Sequence, residues 1–170
     1  MFGLEREFAV DLTQLTERFQ TIQKAVHPDR FAHASSQEQL LAVKKSTAVN
    51  DAYQTLKKPL KRAEYMLNLR GVDMPSEQMT IGDNAFLMRQ MELREMLEDV
   101  KFADDVDAAV FEVSQILDTE FEQLSKAMQV ALFENSTASN KQACEDLRKL
   151  KFYQKLHLEL DRLEDQLFDD

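Results

Sequence analysis

Residues 12–30, LTQLTERFQTIQKAVHPDR, decide the fold. Leu12, Leu15, Phe19, Ile22 and Val26 recur at alternating spacings of three and four, which lines them along one side of a helix. Asp11 stands where a helix N-cap belongs, and Pro28 ends the run. Proline fixes φ, lacks an N–H and disfavours helical geometry in the residue before it, so His27 is the helix end. A second periodic stretch, about Ser36 to Lys57, is expected to turn Leu41, Ala48, Val49, Ala52 and Leu56 inward. Only the short loop 29–36 separates the two helices, which predicts an antiparallel hairpin. Pro59 suits the first turn of a third helix over 59–69, and Gly71 suits its termination.

Working outward, Gly-Val-Asp-Met-Pro-Ser at 71–76 is the clearest cluster of helix breakers. It predicts a domain over 1–70, a linker at 71–76 and a second domain over 77–170. Three further helices are expected, over about 83–99, 104–133 and 139–168. The middle one carries Val106, Val110, Val113, Leu117, Phe121, Leu124 and Met128 as a stripe. The last carries Tyr153, Leu156, Leu160, Leu163 and Leu167, and Asn135, Ser136, Thr137 and Ser139 mark the turn between them. Three amphipathic helices with short connections predict an antiparallel three-helix bundle.

Composition agrees with an all-α chain. Three Gly and three Pro in 170 residues are too few for the connections of a β-sandwich or a doubly wound α/β fold. A single cysteine excludes an internal disulfide framework and a four-cysteine metal site. No apolar run reaches the roughly 18 residues of a membrane span, and no basic-then-apolar start resembles a signal peptide. The expectation is a soluble cytoplasmic protein with no membrane partner. Net charge is −10, which disfavours nucleic-acid binding as the main task. The charge is uneven: residues 1–75 hold 11 Lys/Arg and 9 Asp/Glu, whereas 76–170 hold 10 and 22. That asymmetry fits two modules with different partners, and it equally fits ordinary solvated acidic helix faces.

The helix over 83–99 has two distinct sides. With Phe86 at zero and about 100° per residue, Phe86, Leu93, Leu97 and Val100 fall within about 60° of one another and form a core stripe. Leu87, Met88, Met91, Glu95 and Glu98 centre roughly 150° away by the same arithmetic. Met and Leu beside acids suit an adaptable protein contact with a carboxylate rim. The alternative is a helix buried on two sides of the bundle.

His27-Pro28-Asp29 opens the hairpin loop. Downstream stand Val49-Asn50-Asp51-Ala52-Tyr53-Gln54-Thr55-Leu56, then Pro59, then Lys61-Arg62-Ala63-Glu64-Tyr65. Together they resemble a J-domain, the module that stimulates ATP hydrolysis by DnaK-class chaperones. Phe2-Gly3-Leu4, Phe31-Ala32, Arg62-Ala63-Glu64-Tyr65-Met66-Leu67 and Phe86-Leu87-Met88-Arg89-Gln90-Met91-Glu92-Leu93-Arg94-Glu95 narrow the resemblance to the HscB family, the J-type co-chaperones of iron–sulfur cluster assembly. The similarity spans essentially the whole chain. It implies an HscA-type ATPase chaperone and an IscU-type scaffold as partners, no cofactor, no metal and no catalysis by the chain itself. A J-domain protein with another client is the nearest alternative.

The resemblance also implies site residues. His27, Pro28 and Asp29, with the basic residues Arg18, Lys24 and Arg30, would face the chaperone. Leu87, Met88, Met91, Glu92 and Glu95, with Asp99 and the aromatic Phe152 of the last helix, would hold the scaffold. Physically, Asp29 can accept charge-assisted hydrogen bonds from a partner arginine, and His27 can donate or accept. The plainer alternative is that Asp29 merely caps local N–H groups. Spacing does not single out Phe152, which sits at the edge of the Leu156–Leu163 stripe; core is the plainer reading, and its place on the scaffold surface rests on the resemblance. The helix before the tripeptide is poorer in basic residues than is usual for the family, and Val26 stands where an aromatic residue is common. The chain opens at Met1-Phe2, without the aromatic segment that commonly precedes Phe-Gly-Leu, so loose N-terminal packing or a start assigned too late is expected.

The other candidates are weak. A metal-dependent enzyme using His27, Asp29 and His33 lacks further ligands at helical spacing. His33 is expected in a loop, and His157 beside the bundle stripe is expected to be packed or solvated. Cys144 alone cannot hold a cluster. The methionines are expected to fill the core, apart from Met88 and Met91.

Overall fold

A computed structural model describes residues 1–73 and 83–168. Its helices are α1 (Leu12–Val26), α2 (Ser36–Lys57), α3 (Pro59–Leu69), α4 (Asn84–Asp99), α5 (Val106–Glu134) and α6 (Thr137–Phe168). Short 3₁₀ turns occupy Pro28–Phe31 and Val100–Phe102. The described residues include no strand, as the all-α reading requires. The chain divides into two compact units, Met1–Leu69 and Arg70–Asp170. Residues 74–76 of the expected linker and 77–82 of the expected second domain lie outside the described residues.

In the first unit the local signals set the helix ends. The Asp11 carboxylate accepts from the N–H groups of Thr13 and Gln14 at 2.9 and 3.0 Å, capping α1. Ser35 and Glu38 cap α2 reciprocally. Hydrogen bonds from the Ser35 hydroxyl and N–H hold the Glu38 carboxyl below its ordinary range. Phe2, Leu15, Val49 and Tyr53 form the core, with Phe19 stacked on Tyr53 at 4.1 Å.

Two details of this unit depart from the expected pattern. Leu12 is half exposed at the start of α1. The inner face of α2 is Ala42, Ser46, Val49 and Tyr53, while Leu41 and Ala48 face solvent. Small residues at 42 and 46 let α1 and α2 approach closely, and Gln23 Nε2 donates to Ser46 Oγ across the contact at 3.0 Å. Val49, Ala52 and Leu56 do face the core as expected, so apolar size misplaces only Leu41 and Ala48.

The N-terminal segment is tied firmly into the first unit. Phe2 is buried, and Gly3 holds φ of 62°, a conformation that strains other residues. A Cβ there would lie 3.2 Å from the Arg18 guanidinium. A cavity of about 380 Å³ remains beside it, lined by Leu4, Val10, Leu56, Met66 and Leu69 among others. Arg62 of the Lys61–Tyr65 motif is buried: it donates to the Leu56 carbonyl at 2.6 Å and lies 4.7 Å from the Phe8 ring. It closes the end of α2.

The second unit is built on the α5–α6 hairpin, which turns at Asn135 in the left-handed region, φ 52°. One core joins Phe86, Leu93 and Val100 of the α4 stretch to Val110, Val113 and Leu117 of α5 and Tyr153, Leu156, Leu160 and Leu163 of α6. Among the methionines, Met128 is fully buried, Met66 and Met96 are half-buried, and Met1 is exposed, against the expectation of core filling. Met74 and Met79 lie outside the described residues. No described helix is long and apolar enough to cross a membrane.

Candidate docking sites

The first site is a turn. α1 ends at His27, whose ψ of 130° is the extended geometry demanded by Pro28. Pro28 then opens a single 3₁₀ turn, closed by Arg30 N–H donating to the His27 carbonyl at 3.1 Å. His27 Nδ1 accepts from the Asp29 N–H at 3.3 Å and lies 3.4 Å from the Asp29 carboxylate. One nitrogen cannot accept from the amide and donate to the carboxylate together. The Asp29 carboxyl caps no local N–H among the described residues, and its side chain is 88% exposed. Gln39 Nε2 bridges the carbonyls of Ala32 and Ala34 at 3.1 Å each, so α2 braces the far side of the loop.

The three basic residues differ in use. Arg18 donates through Nη1 to the carbonyls of Phe2 and Gly3, both at 2.6 Å. It ties the N-terminal segment to α1. Arg30 leans back on the Lys24 carbonyl at 3.3 Å, and Lys24 stays exposed beside the turn.

The second site is the outward side of α4. Asp83 caps the helix by accepting from the Phe86 N–H at 3.1 Å and takes Lys149 Nζ of α6 at 2.7 Å. The hydrogen bond from Lys149 holds the Asp83 carboxyl below its ordinary range. On the α5 side Arg89 grips Glu120 with Nε and Nη2 and donates through Nη1 to Glu92 at 2.8 Å. Tyr153 OH donates to the same Glu120 at 2.6 Å. Burial pushes the Glu120 carboxyl up, but the Arg89 and Tyr153 bonds outweigh it and leave the group below its ordinary range. The bonds to Glu120 and then to Glu92 raise the Arg89 guanidinium above its ordinary value. Burial, then the bond to Glu120, raises the Tyr153 phenol.

Two ion-paired clamps thus set the rotation of α4. Leu93 is 1% exposed beneath it, while Met88 and Met91 are 65% and 72% exposed above. Glu95 and Asp99 are exposed with them, Glu92 is exposed but bound by Arg89, and Leu87 is half-buried at the edge. Phe152 meets Phe86 edge-on at 5.7 Å and lies under the Arg94 guanidinium at 5.8 Å, so it belongs partly to the core and partly to this rim. Arg89, Glu120, Asp83 and Lys149 escaped sequence reading, because pairs 31 and 66 residues apart leave no local pattern.

His157 bridges the Tyr153 carbonyl and Asp118 at 2.9 and 3.0 Å, and Cys144 is buried. Among the described residues, no three His, Cys, Asp or Glu converge as metal ligands.

Comparison with known proteins assigns the family. The co-chaperone protein HscB homolog of Colwellia psychrerythraea is 62% identical over 100% of this chain and 97% of its own length. The chain belongs to the HscB family of co-chaperones. The HscB homolog of Shewanella halifaxensis is 43% identical over 99% of this chain and 97% of its own. Residues 82–161 match the family model described as the HSCB C-terminal oligomerisation domain. Among solved structures, chaperone HscB from Vibrio cholerae superposes with a TM-score of 0.92 at 43% identity, covering 98% of this chain and 97% of that one. Human co-chaperone protein HscB gives 0.88 at 31% identity, covering 96% and 79%. The HscB-type co-chaperone expected from the sequence is therefore the right family.

Proposed function

We propose that this HscB-family chain carries an iron–sulfur scaffold protein of the IscU type on the outward face of α4. It presents that scaffold to an HscA-type ATPase chaperone, engaged through the His27–Pro28–Asp29 turn with Lys24 and Arg30 beside it. The observation that carries the reading is the exposure of Met88 and Met91 among Glu92, Glu95 and Asp99, on a helix whose opposite side is buried. Exposed thioethers give an adaptable apolar contact, and the carboxylate rim steers a basic partner. Asp29 offers the chaperone an acceptor for an arginine. Arg18 serves the N-terminus first, so its part in docking is indirect.

The chain performs no bond-breaking step in this scheme. Holding client and ATPase stimulator on one molecule raises the effective concentration of one for the other. The units over 1–70 and 77–170 divide the two tasks, the chain needs neither metal nor cofactor, and it works in the cytoplasm with its partners. The deciding experiment titrates purified scaffold into the full chain by calorimetry. ATP turnover by the HscA-type chaperone is then followed with scaffold and chain together and apart. Turnover that scaffold and chain raise no more together than separately would sink the reading.

A further inference from the structure

A groove of about 460 Å³ runs along the α5 side of α4, lined by Arg89, Phe111, Glu112, Gln115, Thr119 and Glu120. We propose that the scaffold-binding surface crosses this groove onto α5 and that Phe111 is its second apolar anchor; this rests on reading the outward face of α4 as the scaffold site.

Area is the first argument. A 16-residue helix is about 24 Å long, and a strip about 10 Å wide along it covers roughly 240 Å². A stable interface needs about 800 Å² from each partner, so contact has to spread onto a neighbouring helix. On the α6 flank the aromatic residue, Phe152, is already half-covered by Phe86 and Arg94. On the α5 flank Phe111 is 64% exposed, with the open groove beside it. Exposed aromatic side chains beside a concavity are the residue type that anchors protein interfaces.

Continuity is the second. Arg89 lines the groove and also binds Glu92 on the α4 ridge, so one guanidinium joins the two surfaces. Its grip on Glu120, itself held by Tyr153, makes that wall rigid before any partner arrives. Arg89 sits opposite Glu120, and α4 and α5 run antiparallel through the short Val100–Phe102 turn. Phe111, nine residues before Glu120, therefore lies about 13 Å along toward the Asp99 end of α4. Met88 and Met91 anchor one end of the surface and Phe111 the other.

The test uses the full chain and purified IscU-type scaffold. Phe111→Ala is expected to weaken binding about tenfold or more with an unchanged melting temperature. Phe133→Ala, removing a still more exposed aromatic at the far end of α5, is expected to leave affinity alone. Thr119→Trp, which fills the groove from an exposed position, is expected to weaken binding similarly. Wild-type affinity in both Phe111→Ala and Thr119→Trp would overturn the inference. If the Leu87/Met88/Met91→Ala variant loses binding in that same experiment, the α4 reading stands without the groove. If it too binds normally, the α4 reading falls with it.

Discussion

The turn at His27–Asp29 and the outward face of α4, the two proposed docking sites, are exposed by opposite constructions. The turn is a backbone device: Pro28 breaks the helix, one 3₁₀ turn follows, and the functional groups project because the chain has no other path. The face on α4 is a side-chain device, since nothing in a helix backbone chooses which side looks outward. The core stripe and two clamps, Asp83–Lys149 and Arg89–Glu120, make that choice. A backbone-built site should tolerate changes around it and fail at its own residues. A clamp-built site should also respond to residues that touch no partner.

The comparison is tested most heavily on α4. Replacing Leu87, Met88 and Met91 together by Ala is expected to cost about 3–6 kcal/mol of scaffold binding, allowing for non-additivity, while calorimetric melting keeps most of the unit's stability. A collapsed melt would show these residues to be core. Leu93→Ala, on the buried side of the same helix, is expected to do the reverse. It should cost about 2–5 kcal/mol of stability, read as a lowered denaturation midpoint.

Asp29→Ala should remove a charge-assisted contact worth about 1.5–3 kcal/mol to the chaperone, leaving circular dichroism unchanged. Steady-state ATP turnover checks it; full stimulation by the variant would rule out the turn as the docking point. The smallest effect is a pH dependence. The Glu120 carboxyl lies below its ordinary 4.5 in the folded chain, so its contribution is present above that value and is lost as pH falls through the folded pKa. Wild type should melt above Glu120→Gln at neutral pH, and the gap should close on acidification below 4.5. A gap that persists at low pH would mean the clamp is held by shape rather than charge.

The sequence by itself determined what depends on near neighbours. The Asp11 cap, the break at Pro28 and the hydrophobic periods of α1, α4, α5 and α6 are all readable within a turn or two, because capping and proline geometry act over that range. The two-sided character of α4, with Met88 and Met91 opposite Leu93, is likewise a matter of 100° steps. What only the tertiary structure decided lies across the chain. Ala42 and Ser46 rather than Leu41 and Ala48 meet α1, because close helix contact selects small side chains that size-based reading passes over. Arg18 is drawn to the Phe2 and Gly3 carbonyls because Gly3 leaves no Cβ in its way. The Arg89–Glu120–Tyr153 linkage joins residues from three helices, and no one-dimensional pattern encodes which charges a bundle will bring within 3 Å.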